Sequence, residues 1–437
     1  MIKVRKGFNM NRMLKILNDL TPLNRVFCSS DYDKAIEYLK DILPFKVISY
    51  NAADELNGWV IPPKWDIKEA KILKNGKVLY DGLAHPLRVI SLSKSFEGEV
   101  DSEELKQHLH YDSRDSNSIP YHFRQQYRSW DRDWGFCVTK NFFDTLEHGK
   151  YKVIIETEES DGILKVLDYT HTGLLEETFA FVAHLDHPGM ANDDLAGCAV
   201  GVELLKRLSK KRTKYSYKLL LVQEIIGSEH YWGRTNAGNK EKILESVFLE
   251  MLGTKTQLAL QESLGATSNV EQAISKAMDV SGISYRRGPF NSIIGNDEYI
   301  WEAYGVPMAS LSRFPYPEYH SDRDNFSIMS ETALNEAVNV LLKAIEYLES
   351  STLIFKKFQG NICLSNPKYD LYIDTEQPAF GNMASENVQK MRLLADLIPT
   401  LHQPMTVKAL SDRVGLPEID VMTYLQKWVE KGLIELK

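Results

Sequence analysis

Between about residues 151 and 348 the chain alternates short, near-continuous apolar runs with stretches at helical spacing. The runs are YKVIIETEE, FAFVAH, KLLLVQE, SVFLE and VPMASLS, and helices are expected at about 195–208 and 330–348. Strands that are apolar on both faces must be covered on both faces. The pattern therefore restricts this segment to an α/β fold, with a mixed, mostly parallel sheet sandwiched by helices. Ligands of such sheets gather beyond the carboxyl ends of the strands, so the residues that follow each run are the first candidates for chemistry.

The flanking segments have a different texture. Met13, Ile16 and Leu17 stand at helical spacing, and Ser30 is placed to cap a second helix carrying Ala35, Ile36, Leu39 and Ile42. From about Trp59, short β-rich pieces (GWVIPPKWDI, AKILKNGKVLYDG, LRVISLS) are broken by Pro-Pro, Asn-Gly and Asp-Gly turn signals. These predict a small β-rich domain inserted at 51–134. Near the far end, a helix carrying Val388, Met391, Leu394 and Ile398 stops at Pro399, a second runs from Thr406 to Gly415, and a third from Pro417 to Gly432 ahead of a short strand. Three helices with a β-wing predict a winged helix-turn-helix domain over 385–437. Residues 1–50 and 135–384 are left as one discontinuous α/β domain, and 437 residues suffice for three units at roughly 150 each.

Charge and cysteine usage exclude several functions. Lys and Arg number 52 against 60 Asp and Glu, a net charge of -8, which argues against a general electrostatic grip on nucleic acid. In residues 388–437 seven Lys or Arg face six Asp or Glu, and the third helix opens with Glu418 and Asp420, at the end that enters the groove in DNA-binding modules of this kind. A packing or partner-binding role is favoured there over nucleic acid. Cys28, Cys137, Cys198 and Cys363 form no CxxC pair and are expected to stay reduced. The first twenty residues lack the continuous apolar stretch and small-residue cleavage site of a secretory signal, and no run approaches the roughly 20 apolar residues of a membrane span. A cytoplasmic protein is expected, with no membrane partner and with homo-oligomerisation left open.

Four strand ends finish in residues that can bind a metal. FAFVA runs into His184-Leu185-Asp186, and Asn192-Asp193-Asp194 opens a helix a short loop later. KLLLVQ runs into Glu224, SVFL into Glu250, and VPMASLS is followed by PYPEYHSDRDN with His320. Imidazole and carboxylate are the ligands zinc takes in catalytic sites, where three protein ligands leave a position open. Each piece alone is weak, because an Asp before a helix is commonly an N-cap and a strand-end Glu is commonly solvated or paired. Their joint placement at converging strand ends is what makes a metal-dependent site the preferred reading.

HLDHPGMANDDLAG resembles the H-x-D and N-D-[DN]-x-[AS]-G signatures of the zinc aminopeptidase family that includes secreted bacterial leucyl aminopeptidases and glutamate carboxypeptidase. QEIIGS resembles its Glu-Glu motif, FLEMLG its acidic strand end and YHSDRDN its final histidine motif. The segments SEELKQHLHYDSRDSNSIPYHFRQQYRSWDRDWGFC and GNDEYIWEAYGVPMASLSRFPYPEYHSDRDN are similar to an uncharacterised bacterial family that joins an aminopeptidase-like domain to an inserted β domain and a C-terminal winged helix. The resemblance implies a zinc-exopeptidase-like fold and a metal-dependent hydrolase of peptide or related amide bonds, of aminopeptidase type. It implies that His184, Asp193 and His320 bind one metal, with Asp186 holding the imidazole of His184 in its metal-binding tautomer. Glu224 falls on the general base that takes a proton from the attacking water, and Tyr319 where some members stabilise the oxyanion.

The departures carry information too. Ile225 occupies the place of the second Glu, which in two-metal members completes the second site together with the bridging Asp and the acid at Glu250. One tightly bound zinc is therefore expected, with a second weak or absent. His187 competes with His184 as ligand; the separation of nine residues from His184 to Asp193 is closer to the family's than the six from His187, and favours His184. Asp297 in GNDEYIW and Arg313 ahead of His320 are candidates to contact substrate, Arg313 through a substrate carboxylate. The expected partner is a small peptide or amide substrate. An amidase or deacylase acting on a modified amino sugar or small amide is the rival within the fold, and a metal-binding regulator that works through its winged helix is the rival outside enzymology.

Overall fold

The structure is a computed structural model that describes residues 11–265, 268–375 and 384–437. Residues 1–10, read above for a secretory signal, lie outside these. Its centre is an eight-stranded mixed sheet. The strands are β1 (Lys46–Asn51), β2 (Ile163–His171), β3 (Thr178–His184), β4 (Ser216–Val222), β5 (Ile243–Leu249), β6 (Leu258–Gln261), β7 (Tyr285–Gly288) and β8 (Met308–Ser312), in the order β1-β2-β4-β3-β5-β8-β6-β7. The four central strands β4, β3, β5 and β8 run parallel to one another. Each of these four is buried along its whole length except near the start of β5, as their apolar sequences require.

Both faces are covered. On one lie the helices Arg12–Leu20, Ser30–Lys40, Gly197–Leu208, Asn269–Val280 and Glu331–Ser350, which share a large apolar core with Phe179, Phe181, Leu219 and Val247 of the sheet. On the other, Ile226, Tyr231, Trp232, Ile300 and Trp301 pack on Val182, Leu220, Val222 and Phe248. The alternation along β3 of Phe179 and Phe181 to one core, and Ala180 and Val182 to the other, is the period of two that a doubly covered strand must show. Because the parallel strands all point the same way, His184, Glu224, Glu250 and Arg313 emerge from or just beyond their carboxyl ends on one edge of the sheet.

A second sheet of four antiparallel strands, ordered 77–81, 64–74, 150–160 and 96–101, has its own core around Trp65, Ile72, Phe136 and Val153. Its strand Lys150–Ser160 contains YKVIIETEE, which the apolar pattern had assigned to the large sheet, and which lies beyond the expected boundary at 134. The burial of this strand alternates through Tyr151, Val153 and Ile155, so only one of its faces is covered, in contrast to β3 and β4. At the C-terminal end the helices Glu386–Leu397, Val407–Val414 and Glu418–Glu430 accompany a small sheet of Leu353–Lys356, Met405–Thr406 and Ile434–Leu436. The middle strand of that sheet comes from before residue 385, and Ile354, Leu364 and Leu371 belong to the same core as Leu425 and Trp428. Gly415 ends its helix in the left-handed conformation at φ +67, a position that favours glycine. No helix is long and apolar enough to cross a membrane among the described residues.

Candidate metal centre and active site

Three side chains from two loops converge beyond the ends of β3 and β8: His187 and Asp193 from the connection after β3, and His320 from the loop after β8. His187 Nε2 lies 3.8 Å from Asp193 Oδ1, and His320 Nε2 lies 3.1 Å from Asp193 Oδ2. One atom from each residue can meet at a single ion. Asp193 Oδ2 is buried and makes no hydrogen bond of good geometry, a costly state that a cation between the three groups would relieve. Burial opposes ionisation of Asp193, yet the imidazoles of His187 and His320 hold its carboxyl down at about 2. An anionic carboxylate between two imidazoles is a donor set suited to zinc.

The loops are braced from behind. Asp324 accepts the backbone N–H groups of Ala191 at 3.2 Å, Asn192 at 2.6 Å and Asp193 at 2.9 Å, and its other contact is the Tyr316 hydroxyl at 2.6 Å. The last Asp of YHSDRDN thus ties the His320 loop to the Asp193 loop. Arg25, wholly buried, donates to the carbonyls of Leu185 at 3.1 Å, His187 at 2.5 Å, Met190 at 3.1 Å and Leu20. Burial pushes its guanidinium down to about 10, which leaves it charged at neutral pH.

Glu224 stands beside the triple, with Oε2 3.9 Å from His187 Nε2. That oxygen accepts the hydroxyl of Tyr127, and the backbone N–H of Glu224 donates to Asp186 at 2.9 Å. Tyr319 stacks on His320 with ring centroids 3.9 Å apart, and among the described residues its hydroxyl has no hydrogen bond. Phe123 packs edge-on against His320 at 5.3 Å, and the Tyr121 N–H donates to the His320 carbonyl at 2.9 Å. Residues 121–127, from the segment expected to form the inserted domain, therefore build one wall of the site. A cleft of about 580 Å³ opens from Glu224 between Trp59, Phe123, Tyr127, Ile225 and Tyr299.

His184 is placed differently from the sequence expectation. Its Nδ1 lies 3.0 Å from Asp194 Oδ2 and its Nε2 3.0 Å from Asp297 Oδ1, so both ring nitrogens are occupied. Burial disfavours its charge, but Asp297 and Asp194 outweigh that and raise the imidazole well above its ordinary range. His187 therefore replaces His184 beside Asp193 and His320. Asp186, expected behind His184, has Oδ2 3.9 Å from His187 Nδ1, and burial raises its carboxyl to about 6. A second grouping of His184, His187 and Asp194 is close enough to hold an ion, but two of its members already bind each other.

The remaining candidates are engaged away from the triple. Glu250 accepts Asn296 Nδ2 at 2.5 Å and Ser310 Oγ at 2.7 Å and is wholly buried, with burial and the neighbouring Glu298 and Asp194 raising its carboxyl. Asp297 accepts the Ile225 N–H at 2.7 Å and the Ser228 hydroxyl as well as His184. Arg313 donates to the Thr256 carbonyl and to Glu336, each at 2.6 Å, and only 4% of it is exposed, so a substrate carboxylate cannot reach it. Ile225, with φ +62, lines the cleft where a second Glu was looked for. Tyr127, Asp324 and Arg25 were not singled out from the sequence. Tyr127 and Asp324 lie inside segments that carry the family resemblance, whereas no local signal marks Arg25.

Together, the sheet and the ligand-bearing loops at its carboxyl edge define a zinc-exopeptidase-like fold. The Bacillus subtilis zinc aminopeptidase superposes with a TM-score of 0.58 at 14% identity, over 77% of this chain and 94% of that one. A peptidase M28 precursor from Shewanella amazonensis gives 0.54 at 16% identity, over 77% and 92%. A Clostridium acetobutylicum protein provisionally described as a peptidase gives 0.75 at 22% identity and covers 97% of this chain and 96% of its own, so the likeness extends to the flanking units. In sequence, a Clostridium acetobutylicum protein provisionally described as a polysaccharide biosynthesis protein with an aminopeptidase-like domain is 27% identical over 341 residues, 77% of each chain. The profile of the family described as "Domain of unknown function (DUF4910)" matches residues 14–351, and the chain belongs to that family.

Proposed function

We propose that the protein is a metal-dependent hydrolase of a peptide or related amide bond. The observation that carries this reading is the convergence of His187, Asp193 and His320, with Glu224, which lines the neighbouring cleft, beside them. His187, Asp193 and His320 would hold one zinc ion, which when bound supplies Lewis acidity toward a carbonyl and a water molecule. Glu224 takes the proton from the attacking water and delivers it to the departing nitrogen. Tyr127 donates to Glu224 and fixes which carboxylate oxygen faces the reaction. Tyr319, stacked on His320 with its hydroxyl uncommitted, is positioned to donate to the carbonyl oxygen as negative charge develops there. Phe123 and Trp59 keep the cleft wall apolar beside these groups, which strengthens each electrostatic contact.

A second ion is not part of the proposal. Ile225 cannot ligate, Glu250 and Asp297 already satisfy protein partners, and Asp194 is committed to His184 through one of its two oxygens. The test is Glu224→Gln, which preserves size while removing the base. Across a library of dipeptides and acyl amides, hydrolysis of any authentic substrate is expected to fall by about 10²–10⁴ with zinc content unchanged. Equal turnover in the variant and its parent refutes the assignment.

A further inference from the structure

The cleft beside Glu224 is unusual for a site that would take a free amino terminus. Glu224 is the one acidic residue that lines it among the described residues. The carboxylates that stand at the places of ammonium- or second-ion-binding groups are turned away: Asp297 toward His184, the Ile225 N–H and Ser228, and Glu250 toward Asn296 and Ser310. Where a further carboxylate would stand, Ile225 presents an apolar side chain to the cleft. An ammonium placed here would find no carboxylate partner among the lining residues except Glu224, and pairing with it would take Glu224 out of its role as base.

The same cleft offers what the opposite kind of ligand needs. Trp59, Phe123, Tyr127 and Tyr299 provide flat apolar surface, and Trp130 stands at the mouth with 66% of its surface exposed. Beside it, Arg128 is exposed, and its guanidinium makes no ion pair or side-chain hydrogen bond with any described residue. A guanidinium left free at the rim of an aromatic cleft matches a planar carboxylate on an otherwise apolar ligand.

The geometry points to an N-acylated, carboxylate-bearing compound with a bulky apolar side chain as the substrate class, bound through Arg128 and the aromatic walls. This rests on the amide-hydrolase reading of the same site and makes it a deacylase in preference to an aminopeptidase. For N-acetyl-L-phenylalanine, water adds to the acetyl carbonyl carbon and the C–N bond breaks. Acetate and phenylalanine leave, the amine having received the proton held by Glu224.

Three probes isolate the claim: N-acetyl-L-phenylalanine, L-phenylalaninamide, and N-acetyl-L-phenylalaninamide, which has neither charge. Binding is read on the full chain by stopped-flow tryptophan fluorescence before turnover, Trp59 and Trp130 being the reporters. N-acetyl-L-phenylalanine is expected to bind at least about tenfold tighter than L-phenylalaninamide, corresponding to about 1.4 kcal/mol. Arg128→Leu is expected to remove that advantage and leave N-acetyl-L-phenylalaninamide unchanged. Equal or tighter binding of L-phenylalaninamide, no binding of any probe, or an Arg128→Leu variant that keeps the preference overturns the inference. Because binding is read before chemistry, a protein that binds in this order but hydrolyses nothing refutes the hydrolase reading and retains the substrate class. One that cleaves L-phenylalaninamide and leaves N-acetyl-L-phenylalanine intact does the reverse.

Discussion

His184 and His187, three residues apart, experience different surroundings, and these decide their chemistry. His184 ends a central strand and has a carboxylate at each ring nitrogen, so both nitrogens are already engaged by protein partners. His187 stands on the following loop with Nδ1 unpartnered and Nε2 directed at Asp193 and Glu224. Counting residues to Asp193 could not separate the two, because the path of residues 185–190 depends on Arg25, which lies some 160 residues away in the chain. Asp193 and Glu224 were legible as candidates because one opens a helical segment and the other follows a strand, and His320 because its motif lies in the loop after β8. Asp297, Glu250 and Arg313 were visible as polar residues near strand ends, but their orientation is set by tertiary partners such as Asn296, Ser228 and Glu336 that no local pattern specifies. Tyr127 was invisible for the same reason, since its contact with Glu224 joins residues 97 positions apart.

At the scale of elements, the apolar runs were sufficient to predict the parallel centre of the sheet, since a strand buried on both faces has one architectural solution. They were insufficient for Lys150–Ser160, whose alternating burial assigns it to the smaller sheet. The loop that carries His187 has little regular structure of its own, and its carbonyls are gathered by the Arg25 guanidinium. Replacing Arg25 by Met keeps the length and apolar stem but strands those carbonyls away from water. Arg25→Met is expected to cost on the order of 3 kcal/mol in urea denaturation and to weaken zinc retention. An unchanged denaturation midpoint with full zinc content would show that the loop holds itself.

For the whole molecule, the units at either side of the large sheet are joined to it in different ways. The four-stranded sheet reaches the site through residues 121–127, whereas the C-terminal helices are fastened to the α/β unit by Asn269, which donates to the Pro404 carbonyl at 2.9 Å and accepts the Thr406 N–H at 3.0 Å. Lys437 adds an ion pair with Glu177. Seven basic residues against six acidic ones in 388–437 give this unit a near-neutral charge, and Glu418 and Asp420 stand in the first turn of the last helix. The full chain is therefore expected to show no salt-sensitive binding to duplex DNA in a titration at low and moderate salt; sub-micromolar binding with a steep salt slope would contradict this. The proposed chemistry depends on one ion held by His187, Asp193 and His320, and the most direct measurement is zinc per chain after exhaustive dialysis, on the full-length protein and on His187→Ala. About one equivalent is predicted for the parent and none retained by the variant; two equivalents in the parent, or full retention by His187→Ala, would contradict it.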